Sequence, residues 1–371
     1  MDPVAHAFSG SAIAAAGLRR VTPLATAALV IGAVIPDIDG VIMLDEYAAL
    51  AHRRGLTHGI AAVFVFPLLV TCLLLLWDKW VRRPRNPAAE PAQAVQLFLF
   101  TALGVVLHVF FDWLNNYGVR LLMPFDDRWF YGDAMFIIDP WLWLMLGGVT
   151  FVTWSARRLT LVAWTVLAIL LSLPMFLSEL VAPTARVLWL LVLFTLVLIR
   201  WRWPLQQMSA RRTATVSRVV LIVTAAYIGL NIASSAAARM QVHAIATAQG
   251  IAVTDVMVGP VAVNPLRGTV IVQTDDAYLT GQWNWLSSPR LELEPSELPS
   301  LIQDPRTQSA ANTSEAQNFL RWSRYPYALI ESANDGGYTV KFHDVRFADF
   351  DDAISGPKVE LDRNFEVLSV D

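Results

Sequence analysis

Four of the six histidines lie within the first 108 residues, each in strongly apolar sequence and near an aspartate or another histidine. They are His6 in V-A-H-A-F-S, His52 and His58 in A-H-R-R-G-L-T-H-G, and His108 in L-H-V-F-F-D-W. Asp37 and Asp39, in I-P-D-I-D-G, and Asp112 complete the set. Ionisable groups at membrane depth are costly and mark functional cavities. Imidazole with carboxylate is the donor set of zinc and similar divalent ions.

His108 and Asp112 are spaced i, i+4, which brings both side chains to one helical face, one turn apart. That spacing can deliver an imidazole and a carboxylate to one metal, or build a buried hydrogen-bonded pair between two helices. Asp37 and Asp39 follow Pro36, which interrupts regular helix before it. Residues 24–36 are almost wholly apolar, so an ordinary solvated turn is disfavoured there. Asp37 is the stronger ligand candidate; Asp39 fits a ligand or a group that orients one. His52 and His58 are six apart, about 240° around a helix, so they cannot share a helical face. One of them belongs to a loop, with Thr57 suited to cap a helix starting near His58. Arg53 and Arg54 between them offer forked donors for phosphate or carboxylate, or snorkel at a lipid interface. His6 has no local support, and enters through its predicted place on the same membrane face.

These groups need elements to position them, and composition says which kind. The 371 residues are 55% hydrophobic and only 16% charged. Soluble domains carry about 25% charged residues, so the chain is read as an integral membrane protein. The net charge of -3 says nothing about partners, and no basic block or aromatic-basic interleaving suggests nucleic acid. The single cysteine, Cys72, excludes an intrachain disulfide, and no cleavable signal peptide is evident. Five or six stretches can cross a bilayer, drawn from Gly59–Trp77, Ala94–Leu114, Ile137–Trp154, Leu159–Leu177, Ala185–Trp201 and Val216–Ala233. Residues 3–40 read as a short helical hairpin, in to Arg19–Arg20 and back from Pro23 to Pro36.

Basic residues orient these spans. Lys79, Arg82, Arg83 and Arg85 follow the first, Arg157 and Arg158 the third, and Arg200, Arg202, Arg211, Arg212 and Arg218 surround the fifth-to-sixth loop. By the positive-inside rule these loops are cytoplasmic, and the last span exits outward. His6, Asp37, His52, His58, His108 and Asp112 then all fall at the outer face. Residues 1–236 form the expected membrane domain. Residues 237–371 read as a small β-rich domain outside the cytoplasm. Its alternating strands are V-T-D-V-M-V, T-V-I-V-Q-T, Y-A-L-I-E, Y-T-V-K-F and K-V-E-L, with a helix around Thr313–Trp322.

The ordered motifs A-H-A-F-S, I-P-D-I-D-G, H-R-R-G-L-T-H-G and H-V-F-F-D-W-L-N-N-Y-G-V resemble the YdjM-like family of bacterial inner-membrane proteins, described as metal-dependent hydrolases. The resemblance covers about residues 3–140. The tail resembles longer members in V-N-P-L-R-G and F-L-R-W-S-R-Y-P-Y. The resemblance implies His6, Asp37, His52, His58, His108 and Asp112 as metal-site residues, with Asp39 beside them; of these, His52 or Asp39 is expected to complete the shell or act as base. The order His, Asp, His, then His-x-x-x-Asp is also similar to the zinc-dependent phospholipase C and nuclease group. Gly40 departs from members that carry a polar residue or histidine there.

The expectation is a membrane-embedded hydrolase holding one or two divalent ions, zinc before manganese. Arg53 and Arg54 would bind the anionic part of a lipid or lipid-linked phosphoester. The competing expectation is a non-catalytic transporter or assembly protein with a structural polar or metal cluster.

Overall fold

The computed structural model describes residues 1–42, 46–155, 157–179, 181–202, 209–300, 304–333, 336–348 and 356–371. The N-terminal helices are α1 (Pro3–Ala15), α2 (Ala25–Val34), α3 (Asp39–Ile42) and α4 (Glu46–His52). Then come α5 (Ala62–Trp77), α6 (Arg83–Arg85), α7 (Ala94–Trp113), α8 (Pro140–Trp154) and α9 (Arg158–Leu177). Two more apolar helices follow, α10 (Pro183–Arg202) and α11 (Ala210–Ala248). The tail adds α12 (Pro305–Ala311) and α13 (Ser314–Trp322).

Six helical stretches are long and apolar enough to cross a membrane: Ala25–Ile42, Ala62–Arg85, Ala94–Trp113, Arg158–Leu177, Pro183–Arg202 and Ala210–Ala248. The number matches the sequence reading, but one member differs. The stretch expected over Ile137–Trp154 is a 15-residue helix, because Asp139 caps it and Pro140 opens it. At 1.5 Å per residue it covers about 22 Å, short of the ~30 Å hydrocarbon core. The returning arm of the N-terminal hairpin takes its place. It continues from α2 through a 3₁₀ turn at Ile35–Ile38 into α3, which absorbs Pro36 without ending the run.

The chain divides into two compact units. The first comprises Met1–Ile38, Arg54–Ile232 and Ala262–Pro265; the second comprises Asp39–Arg53, Ala233–Val261 and Leu266–Asp371. In the first unit α1, α2, α5 and α7 pack tightly. Ala28 of α2, Val70 and Leu74 of α5 and Leu97 of α7 share one buried cluster. Glycines set the spacing. A Cβ on Gly32 would lie 2.4 Å from the Thr101 carbonyl oxygen, and one on Gly104 would lie 2.6 Å from that of Leu29. Small residues at such crossings let apolar helices meet backbone to backbone.

The second unit carries two antiparallel four-stranded meanders. β1 (Asp255–Val261), β2 (Asn264–Gln273), β3 (Ala277–Asn284) and β4 (Leu291–Pro299) form one in that order. β5 (Pro326–Ser332), β6 (Tyr338–Asp344), β7 (Lys358–Leu361) and β8 (Val367–Val370) form the other. Ala238, Val242 and Ala246, spaced by one helical turn on α11, bury against Val256, Val270, Val272 and Trp283. Asp344 is fully buried beside Arg346, with Oδ2 2.8 Å from the guanidinium. Burial pushes its carboxyl pKa up, but the guanidinium and its hydrogen bonds outweigh that and hold it below the ordinary value.

Candidate metal centre

α7 supplies two ligand candidates from its last turns, and the i, i+4 spacing aims both the same way. His108 and Asp112 are completely buried. The close α2–α7 crossing presents the Ala33 carbonyl, near the end of α2, to the His108 ring. Nδ1 lies 2.7 Å from that oxygen. A carbonyl only accepts, so Nδ1 carries the proton and Nε2 keeps its lone pair. That lone pair points into the cluster. His108 Nε2 stands 3.0 Å from His58 Nε2, 3.6 Å from Asp112 Oδ2 and 3.7 Å from Asp37 Oδ1.

His58 arrives on the loop before α5. The loop is held by the Ile60 amide donating to the Leu121 carbonyl at 3.0 Å and the Arg120 amide donating to the Arg54 carbonyl at 3.0 Å. Gly59 is required there, since a Cβ would lie 2.4 Å from the Met123 carbonyl oxygen. His58 Nε2 sits 3.0 Å from Asp112 Oδ2 and 4.0 Å from Asp37 Oδ1, while its Nδ1 meets Thr57 Oγ1 at 2.9 Å. Asp37 comes from the 3₁₀ turn after α2.

Among the described residues, Asp37, His58, His108 and Asp112 each offer one ligand atom, and these four atoms lie within 4.8 Å of one another. Ligand atoms on a single tetrahedral zinc stand about 3.3 Å apart, and five of the six separations here run from 3.0 to 4.0 Å, close enough to share one ion. Asp37 Oδ2 is buried and without a hydrogen-bond partner among the described residues. An unsatisfied carboxylate oxygen beside an unprotonated imidazole nitrogen is a costly arrangement that a cation would relieve. The residues present therefore fit a divalent ion. Asp37 is also the accessible member, its side chain 13% exposed against 0% for the other three.

Asp112 is gripped at both oxygens. The Met1 amino group meets Oδ1, as does His6 Nε2 at 3.1 Å. Arg54 Nε contacts Oδ2 at 3.0 Å, and Arg54 is itself buried. The Arg54 fork continues to Asn115 Oδ1 at 3.0 Å and the Gly118 carbonyl at 3.4 Å, with its guanidinium 4.6 Å above the Tyr117 ring. Arg54 holds this pose at a φ of 53°, a left-handed backbone unusual for a side-chain-bearing residue. Its hydrogen bonds run into the protein, so the reading of Arg54 as an anion binder gives way to one in which it orients Asp112. His6 stacks on His108, with ring centroids 3.8 Å apart, and lies against Asp112 outside the four-atom group.

The remaining sequence candidates belong to the second unit. Asp39 is buried at the start of α3, and His52 is exposed at the end of α4, a helix that packs against α13. Arg53 is half-buried with its guanidinium beside Gly40, where a Cβ would lie 2.9 Å from Nη2. Asn115, Tyr117 and the Ala33 carbonyl escaped the sequence reading as site-building groups. The signal for the first two was their position in D-W-L-N-N-Y-G, directly after Asp112. The carbonyl leaves no trace in side-chain types.

A buried His–His–Asp–Asp group on apolar helices can be compared with known families. Residues 1–182 match the family described as YdjM inner membrane protein. Over those residues, just under half of the chain, it is similar to the YdjM inner membrane proteins. This is the family that the four ordered motifs resemble, and the match takes in every residue of the four-ligand group. A relative, Uncharacterized protein YfhP of Bacillus subtilis (strain 168), is 30% identical over 155 residues. That alignment covers 39% of this chain and 43% of the relative, so the chain spans less than half of the relative's length. No solved structure matches the chain.

Proposed function

We propose that this chain, similar to YdjM inner membrane proteins over residues 1–182, is a membrane-embedded metal-dependent hydrolase. Its proposed substrate is a phosphoester of a lipid or lipid-linked molecule at the outer face of the cytoplasmic membrane. The observation that carries the reading is the buried convergence of His58 Nε2, His108 Nε2, Asp112 Oδ2 and Asp37 on one point. Asp37, His58, His108 and Asp112 would hold the ion, with zinc or manganese suited to two imidazoles and two carboxylates. When bound, such an ion supplies Lewis acidity and activates water near neutral pH.

The chain's own residues do the rest. The Ala33 carbonyl holds the His108 tautomer that leaves Nε2 free to ligate. Thr57 steadies the far nitrogen of His58. Arg54 and His6 fix the plane of the Asp112 carboxylate from both sides. Asp37 forms the accessible edge, where substrate would approach. The outer-face assignment rests on the basic loops that follow the spans, Lys79–Arg85 and Arg157–Arg158 among them. A buried site made from apolar helices favours a substrate delivered by the bilayer over one from bulk water.

The test is phosphoester hydrolysis by the full chain in lipid nanodiscs, supplied with zinc or manganese, on phosphatidate, glycerophospholipids and polyprenyl phosphates. Release of phosphate or headgroup that stops with chelator and in Asp37→Asn is the expected result. Metal bound at the site with no release from any phosphoester would overturn the hydrolase assignment and favour a structural cluster.

A further inference from the structure

A cavity away from the metal centre lies within the first unit, lined by α1, α8, α9 and α10. Its volume is about 460 Å³, within the roughly 300–1,000 Å³ of small-ligand pockets. The floor is aromatic and buried: Phe8, Trp143 and Trp189 are 6%, 6% and 1% exposed. Its rim includes Leu173, Phe176, Leu177 and Val197, which are 46%, 41%, 76% and 62% exposed on apolar helices. The cavity therefore runs from the lipid-facing surface of two candidate spans to a closed inner end.

Apart from the Trp164 indole N–H, its polar side chains are already hydrogen-bonded. Ser172 Oγ donates to the Ala168 carbonyl at 2.6 Å and accepts from Trp189 Nε1 at 2.9 Å. Thr165 Oγ1 donates to the Leu161 carbonyl at 3.0 Å, and Trp143 Nε1 donates to the Asp2 carboxylate at 3.0 Å. These groups offer an occupant little to bond with, so what fits is hydrocarbon. Gly148 makes room on α8: a Cβ there would meet only the tips of Leu196, at 3.4 and 3.6 Å. A side pocket lined almost wholly by apolar side chains leaves packing contacts unmade, and apolar molecules occupy such sites readily. In a bilayer the apolar molecule at hand is a lipid tail.

We infer that this cavity is a binding site for one acyl chain of a membrane lipid, entering sideways from the bilayer between α9 and α10. The inference stands apart from the hydrolase proposal, because it concerns occupancy and requires no turnover.

It is tested by reconstituting the full chain into nanodiscs containing a phospholipid with a diazirine on its acyl chain. After irradiation, the adducts are mapped by mass spectrometry. Adducts concentrated on Trp164, Ala168, Ser172, Trp189 and Leu193 are expected, with far fewer at the outward-facing Leu159 and Val162. Gly148→Phe and, separately, Ala168→Phe should abolish the cavity adducts while leaving those at Leu159 and Val162 unchanged, which also reports that the spans remain embedded. Adducts spread evenly around α9 and α10 in the unsubstituted chain would overturn the inference. So would cavity adducts that survive both substitutions.

Discussion

Asp112 is the residue on which the centre turns. Each oxygen has its own partners, His6 and the Met1 amino group on Oδ1, His58 and Arg54 on Oδ2. A buried carboxylate is tolerable only when so compensated, and removing one partner of a buried ion pair costs about 3–5 kcal/mol. Arg54→Ala should therefore lower stability by about 3 kcal/mol, seen as an earlier thermal unfolding transition in detergent. Arg54→Lys should recover only part of the loss, because a lysine cannot reproduce the fork between Asp112 and Asn115. Unchanged stability in Arg54→Ala would mean that the guanidinium is not what compensates Asp112. At this scale the sequence was most informative about residue type and spacing. His108 and Asp112 could be paired from i, i+4 alone, and Asp37 from its place after an apolar run. The role of Arg54 was hidden, because an arginine beside a membrane-face histidine looks the same whether it points to solvent or inward.

At the scale of elements, the centre depends on how closely α2 and α7 approach. Gly32 and Gly104 remove the side chains that would separate them, and that closeness brings the Ala33 carbonyl onto His108. Gly32→Ala would drive a methyl into the Thr101 carbonyl, so a loss of about 1–3 kcal/mol and weakened metal binding are expected. Gly229, on α11, has nothing within 4 Å of its added Cβ. Gly229→Ala should be neutral or stabilising by up to about 1 kcal/mol, through helix propensity. Equal effects of the two substitutions on the unfolding temperature would show that the crossing is not glycine-limited. Helix existence was legible from apolar runs, but length was less so. Ile137 and Ile138 made the α8 run look longer than it is, while the cap at Asp139 set its true start. In the second unit the alternation of β1, β2, β5, β6 and β7 was readable. β3 and β4 were not, because their pairing slips between Leu279 and Gly281 and Pro295 interrupts the L-E-L-E pattern. β8, V-L-S-V, lacks the strict polar-apolar alternation that made the equally short K-V-E-L of β7 readable.

For the whole molecule, the apolar first part and the strand-rich tail were legible in composition, because burial in lipid and half-burial in a sheet demand different patterns. The assignment of Asp39–Arg53 to the second unit was not legible. Short segments between apolar helices take their neighbours from tertiary packing, which leaves no periodic trace. This is why Asp39, His52 and Arg53 looked equivalent to Asp37, His58 and Arg54 in sequence, although only the latter three lie in the unit that holds the four-ligand group. The family match ends at residue 182, so the β-rich tail falls outside it. We propose that the four-ligand group of the first unit holds a metal ion. The direct measurement is metal content by mass spectrometry for the purified full chain and for the double substitution His108→Ala, Asp112→Ala. About one equivalent of zinc or manganese per chain, the complement of a four-ligand site, is expected, with its loss in the double substitution. A chain that carries no tightly bound metal, and takes up none when divalent ions are added, would contradict it.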